Sequence, residues 1–197
     1  MARAPRRSPR PRERMSLEER REQLLSCGRA LFLEKTYDQV SMDDLATRAG
    51  VSKGLVFHYF STKRELYVEV VRAAANELLQ AMLVEDEGDP VSRLTRGLER
   101  YLDYVEQNAQ GYIALMTGGV GVDPELTAVV NQVRATLAER MLMGLPFQAP
   151  PGASVLVRGF LGLVEAASLE WIERRSVERK DLVDVFVRTL TALFGPR

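Results

Sequence analysis

Apolar residues recur along this chain at helical spacing, and no segment shows a convincing strand alternation. Met42, Leu45, Ala46 and Ala49 stand three, four and seven positions apart, so one face of a short helix carries all of them. Ser41 with Asp44 opens that helix as a capping box, and Gly50 closes it where left-handed backbone costs a glycine little. Val51 plugs the following turn. Ser52 caps a second helix over Lys53 to Tyr59, on which Leu55, Val56 and Tyr59 share a turn. Upstream, Ser16 with Glu19 starts a helix that runs to about Glu34, with Leu24, Gly28, Leu31 and Phe32 on its inner side. Tyr37 and Val40 cover the small three-helix core.

Thr62 with Glu65 starts a long amphipathic helix that reaches about Val84, where the acidic run Glu85 to Asp89 breaks it. Asp89-Pro90 and Asp123-Pro124 are cap-then-proline starts for helices ending near Asn108 and Met143. A short helix over Gln110 to Thr117 and a loop over Gly118 to Gly121 fit between them. Pro146, Pro150, Pro151 and Gly152 form a second break, followed by helices over Ala153 to Arg174 and Glu178 to Phe194. The expected fold is all-α with about nine helices: three in an N-terminal domain, one connecting, five in a larger C-terminal domain. The expected divisions are 1–15, a basic arm disordered by composition; 16–67; and 68–197.

Two short helices joined by a tight turn between Ser41 and Lys63 form a helix-turn-helix, a DNA-docking device. The second helix leaves Lys53, Gly54, Phe57 and His58 nearer its open face. Gly54 costs a helix about 1 kcal/mol relative to alanine, and close approach of a phosphate strand would justify it. From Leu24 to about Val70, and most densely over LFLEKTYDQVSMDDLATRAGVSKGLVFHYFSTKREL, the chain resembles the TetR family of bacterial transcriptional regulators. It departs from many members in the order His58-Tyr59, where they carry two aromatics before a histidine or phenylalanine. The departure bears on operator preference and leaves the resemblance intact. Lys53, Phe57 and Tyr59 are the candidates for base contact, with Gly54 allowing close approach. Ser41, Ser52, His58 and Lys63 are the candidate phosphate partners.

Charge agrees with that polarity. Residues 1–67 hold 14 Lys+Arg against 9 Asp+Glu, a net of +5, and the other 130 residues hold 13 against 18, a net of −5. Six arginines and three prolines lie in residues 1–15, which read either as a solvated tail or as a minor-groove or phosphate-contacting arm. The apolar fraction of 46% is ordinary for a globular protein, and no apolar run reaches the roughly 18 residues that span a bilayer. The arginine-rich start lacks the apolar stretch of a secretory signal, so the cytoplasm is the expected location. Cys27 is the only cysteine and His58 the only histidine. With no P-loop, dinucleotide fingerprint or His/Cys cluster, neither a cofactor nor a metal nor catalysis is expected.

Two further patterns belong to the larger domain. Leu156, Phe160, Leu163, Val164, Ala167 and Trp171 form one stripe; Leu182, Val185, Phe186, Thr189, Leu190 and Leu193 form another. Part of each must serve the chain's own core. Gly159 and Gly162 flatten one surface, and Val155 and Leu161 widen the apolar girth. The resemblance implies that these two helices pair with their copies in a homodimer, with Leu156, Phe160, Leu163, Ala167, Trp171, Leu182, Phe186 and Leu190 at the seam. The second pattern is Tyr101, Tyr104, Tyr112, Met116 and Met141, with Met143 and Phe147: residues that suit an apolar pocket with a few polar anchors, or plain core. The resemblance implies a ligand cavity in this domain. The expectation is a homodimeric repressor on a palindromic operator in double-stranded DNA, released by a mainly apolar small molecule, with no membrane partner. The alternative is a DNA-bound scaffold of the same fold that recruits a protein without sensing a ligand.

Overall fold

A computed structural model describes residues 15–82 and 87–194 of the 197-residue chain. Nine α-helices lie among the described residues: α1 Leu17–Glu34, α2 Met42–Ala49, α3 Lys53–Tyr59, α4 Lys63–Met82, α5 Pro90–Gln107, α6 Ala109–Ala114, α7 Pro124–Met143, α8 Ala153–Arg174 and α9 Arg179–Phe194. No strand lies among them. The side chains that start these helices bond as their spacing requires. Ser16 and Ser41 each accept from the backbone N–H three residues on, and Glu19 and Asp44 return the bond. Asp89 and Asp123 accept from the first free N–H groups of α5 and α7, each with a proline in the first turn. Gly50 ends α2 at φ 65°, a conformation a side chain would strain.

Two details differ from the sequence expectation. Tyr37–Gln39 forms a 3-10 turn, and α6 does not stop short of the glycines but widens into a π-helical segment, Leu115–Gly119. The end of the long helix expected at about Val84, and all of the expected 1–15 arm but Met15, lie outside the described residues.

Helix α4 ties the molecule together. Its first turns give Leu66 and Val70 to a core with Leu24, Leu31, Phe32, Val40, Leu45, Val56 and Phe60. Its far end gives Leu78 and Met82 to a second core, built on Leu98, Leu102, Val105, Phe160, Trp171 and Phe186. Between them Val68 and Val71 pack on Leu126 of α7. The division expected after residue 67 therefore falls inside a continuous helix. Polar ties reinforce this: Arg64 holds Asp123 through two bonds of 2.7 and 2.8 Å, and Arg29 reaches Asn108 at 2.9 Å.

The seam expected on α8 and α9 needs correction. Phe160 is 3% exposed and Phe186 0%, and with Trp171 and Leu182 they are enclosed by the chain's own helices. These four hold the subunit together and are not free to meet a copy. Ala167 and Leu190 are half-buried against the same core. Of the eight, Leu156 and Leu163 face outward, beside Val155, Val185, Leu193 and two glycines, Gly159 and Gly162, whose added Cβ would meet nothing within 4 Å.

Candidate DNA-reading head and ligand cavity

The turn after α2 sets α3 so that Val56 is sealed in the head core while the opposite face stays open. Lys53, Gly54, Phe57 and His58 lie on the open face, and Phe57 is 42% exposed. The Lys53 ammonium sits 2.7 Å from the Asp43 carboxylate and 6.0 Å from the centre of the Phe57 ring. A Cβ on Gly54 would meet nothing, which leaves room for another backbone. Tyr59 is different: it is half-buried and packs against the head core, with His58 edge-on to it at 5.3 Å.

The two cap serines differ in what they have left to offer. Ser41 accepts from Asp44 N–H and donates its hydroxyl proton to the Asp44 carboxylate at 2.5 Å. Ser52 accepts from Leu55 N–H at 3.2 Å and keeps its proton for another partner. Hydrogen bonds from Ser41, then from Lys35, hold the Asp44 carboxyl down at about 2. Lys63 is engaged inside the head. Its ammonium donates to the Tyr37 carbonyl at 2.9 Å and lies 4.4 Å from the Tyr37 ring centre. Spacing alone gave no sign of this strut, because its partner lies 26 residues away.

The second site is a cavity of about 960 Å³ in the larger domain. Tyr101, Tyr104, Tyr112, Met116 and Met141 all line it, so the structure brings the five sequence candidates to one space. Phe32, Leu33, Lys35 and Tyr37 also line it, so part of the wall belongs to the head. Phe32, Tyr37 and Tyr67 form a cluster there, with ring centres 4.8 to 6.2 Å apart.

Four of the polar groups that line it meet at one place, and Arg29, Lys35, Arg93, Asn108 and Arg140 line other parts of the wall. Tyr101 and Tyr112 share a hydrogen bond of 2.7 Å, and Tyr112 donates to the Glu165 carbonyl at 3.4 Å. Arg134 grips the Glu165 carboxylate through Nε and Nη2 at 2.8 and 2.7 Å. No helical periodicity links residues 31 apart, so this pair was invisible in the sequence. Tyr104 donates separately to the Ala74 carbonyl at 2.8 Å. Burial pushes the Tyr104 and Tyr112 hydroxyls up to about 12 and Tyr101 well above its usual range, so all three stay neutral near pH 7. Among the described residues no group of three or more His, Cys, Asp or Glu side chains could hold a metal ion.

Residues 24–70 match the family described as bacterial regulatory proteins, tetR family, and residues 90–193 match the tetracyclin repressor-like C-terminal domain. The chain belongs to the TetR family. A TetR-family regulator from Streptomyces coelicolor is similar over 91% of this chain and 82% of its own, at 34% identity and a TM-score of 0.84. The transcriptional activator FasR of Mycolicibacterium smegmatis is 32% identical over 120 residues, 60% of this chain, and the chain spans 55% of FasR's length. An HTH-type regulator of Mycobacterium tuberculosis is 30% identical over 156 residues, 74% of this chain and 69% of its own. These relatives are transcriptional regulators rather than enzymes. TetR proteins bind DNA operators and typically act as dimers.

Within a TetR head, basic charge is expected to meet phosphate, yet residues 16–67 hold 8 Lys+Arg and 8 Asp+Glu, a net of zero. The surplus of +5 lies entirely in residues 1–15.

Proposed function

We propose that this TetR protein is a homodimeric repressor that a mainly apolar small molecule releases from a palindromic operator. Helix α3 enters the major groove, where Lys53 and Phe57 read base edges and Gly54 lets the backbone approach. Ser52 and His58 position the head on phosphates, and Ser41 serves them mainly by fixing the start of α2. Tyr59 contributes an edge while its ring anchors α3 in the head. Two copies pair across the outward residues of α8 and α9, which sets the spacing of the two heads. The protein works in the cytoplasm beside its DNA; among the described residues no single helix is long and apolar enough to cross a membrane.

The observation that carries this reading is the shared wall of the cavity. Phe32 and Tyr37 belong to the head yet face the same space as Tyr101 and Met141. A molecule filling that space bears on the turn that leads into Ser41 and α2, and through α4 on the set of the head. Because the two binding events compete through one structure, ligand weakens DNA and DNA weakens ligand by the same factor. An open cavity with polar anchors favours a sensor over a scaffold with a filled core.

The test is anisotropy with a duplex recovered from bound genomic fragments against a random duplex at moderate salt. Preference for the recovered duplex, lost in Phe57→Ala or Lys53→Ala, supports the reading. Equal affinity of the unaltered protein for both duplexes contradicts it.

A further inference from the structure

The wall of the cavity is unevenly charged. Six cationic side chains line it, Arg29, Lys35, Arg93, Arg100, Arg134 and Arg140, against one carboxylate, Glu165. Three of the six are matched: Arg29 by Glu77, Lys35 by Asp44 and Arg134 by Glu165. Arg100 is engaged as well. Arg93 and Arg140 make no ion pair among the described residues, and Arg93 donates only from Nη2, to the Gly144 carbonyl at 3.3 Å. Gly144 in turn donates its N–H to the Arg140 carbonyl at 3.0 Å, so both arginines belong to the same end of the cavity. Asp89, one turn before Arg93, spends its oxygens on the Val91 and Ser92 donors that start α5. A cation in the last turn of α7 suits the helix dipole, which accounts for Arg140 but not for Arg93. Val91, Met143 and Phe147 line this end and are exposed, so the cavity reaches water here. Inward from it the wall is mainly apolar. Met82 and Tyr67 of α4 both line the space, and the helix between them, at 1.5 Å per residue, is about 22 Å long.

We propose that the cavity takes an amphipathic anion, with its apolar chain lying along α4 and its charged head held by Arg93 and Arg140 at the open end. The inference rests on the sensor reading above and names the ligand class for that cavity. Guanidinium groups bind carboxylates and phosphates through paired, charge-assisted hydrogen bonds, and these two have donors to give. The chain covers apolar side chains such as Leu78, Leu94 and Leu137. The head stays at the exposed end, so no charge has to be carried into the apolar interior. A neutral chain of the same length gains the apolar contacts alone. A long enough chain reaches Phe32, Tyr37 and Tyr67, the part of the wall nearest the reading head.

The experiment is calorimetric titration of the full chain with sodium decanoate and with 1-decanol, which share a chain and differ in the charge of the head. Decanoate is expected to bind about tenfold more tightly, the lower end of what a charged hydrogen bond is worth, because water reaches this end of the cavity. In the double variant Arg93→Gln with Arg140→Gln that ratio falls below about threefold while decanol keeps its affinity, which a loss of fold would not allow. Arg29→Gln, at the other end of the cavity, keeps the ratio. Equal affinities in the unaltered protein, tighter decanol binding, a ratio that survives the double variant, or a ratio lost in Arg29→Gln instead overturns the proposal and leaves the sensor reading standing. If neither compound binds the unaltered chain, the sensor reading fails and this inference fails with it.

Discussion

Lys63 stands between the two sites, and replacing it separates two roles. Its ammonium spans the Tyr37 and Asp38 carbonyls at 2.9 and 3.4 Å and lies over the Tyr37 ring. Lys63→Met keeps the aliphatic stem and removes the charge. A hydrogen bond from a charged donor contributes about 1.5–3 kcal/mol, and the lower end applies because water can reach these carbonyls. A cation over an exposed ring adds about 0.5–1 kcal/mol. The sum is roughly 2 kcal/mol, or about 4–8 °C in Tm for a chain of this size. Differential scanning fluorimetry measures the stability, and anisotropy across a salt series measures operator binding. The account predicts the fall in Tm, weaker operator binding as the Tyr37 turn loosens, and a nearly unchanged salt slope. An unchanged Tm with a slope reduced by about 0.9 would make Lys63 a phosphate contact and refute the strut.

Leu163→Glu places a charge on the outward face of α8, and sedimentation is expected to show a helical monomer; a stable dimer would move the seam elsewhere. Phe186→Ala instead opens the subunit's own core and should cost about 3–5 kcal/mol in urea unfolding of the dimer-independent step, whatever the assembly state. Deleting residues 1–15 leaves a head of zero net charge over 16–67, so operator affinity should drop and the salt slope become shallower; an unchanged slope would make the arm a bystander. The Asp44 carboxyl is depressed from 3.8 to about 2, so its contribution is complete above pH 4 and lost as pH falls through 2. Asp44→Asn should flatten that part of the acid-unfolding profile, and an identical profile would remove Asp44 from it.

Much of the fold was legible because local chemistry fixes it. Ser41 with Asp44, Asp89-Pro90 and Asp123-Pro124 mark helix starts whatever the rest of the chain does, and the structure begins α2, α5 and α7 at those places. The tyrosines and methionines were readable only by type, as residues that suit either a pocket or a core, and the structure lines one space with them although Met143 is largely exposed. What the sequence hid is tertiary. Helix α8 is apolar around most of its girth, so its period cannot tell Phe160, which turns inward, from Leu163, which at 41% exposed turns out. Lys63 looks like any exposed lysine beside a DNA-reading helix until the Tyr37 carbonyl is placed next to it. The Arg134–Glu165 pair joins α7 to α8 and leaves no local signature.

The central claim is that the cavity and the reading helix are coupled through one structure. Its most direct measurement is a pair of titrations on the full chain: operator affinity with and without saturating ligand, and ligand affinity with and without saturating operator. The account predicts that both fall, and by the same factor. A ligand that binds the cavity tightly while operator affinity stays unchanged would contradict the account and bring the scaffold reading forward.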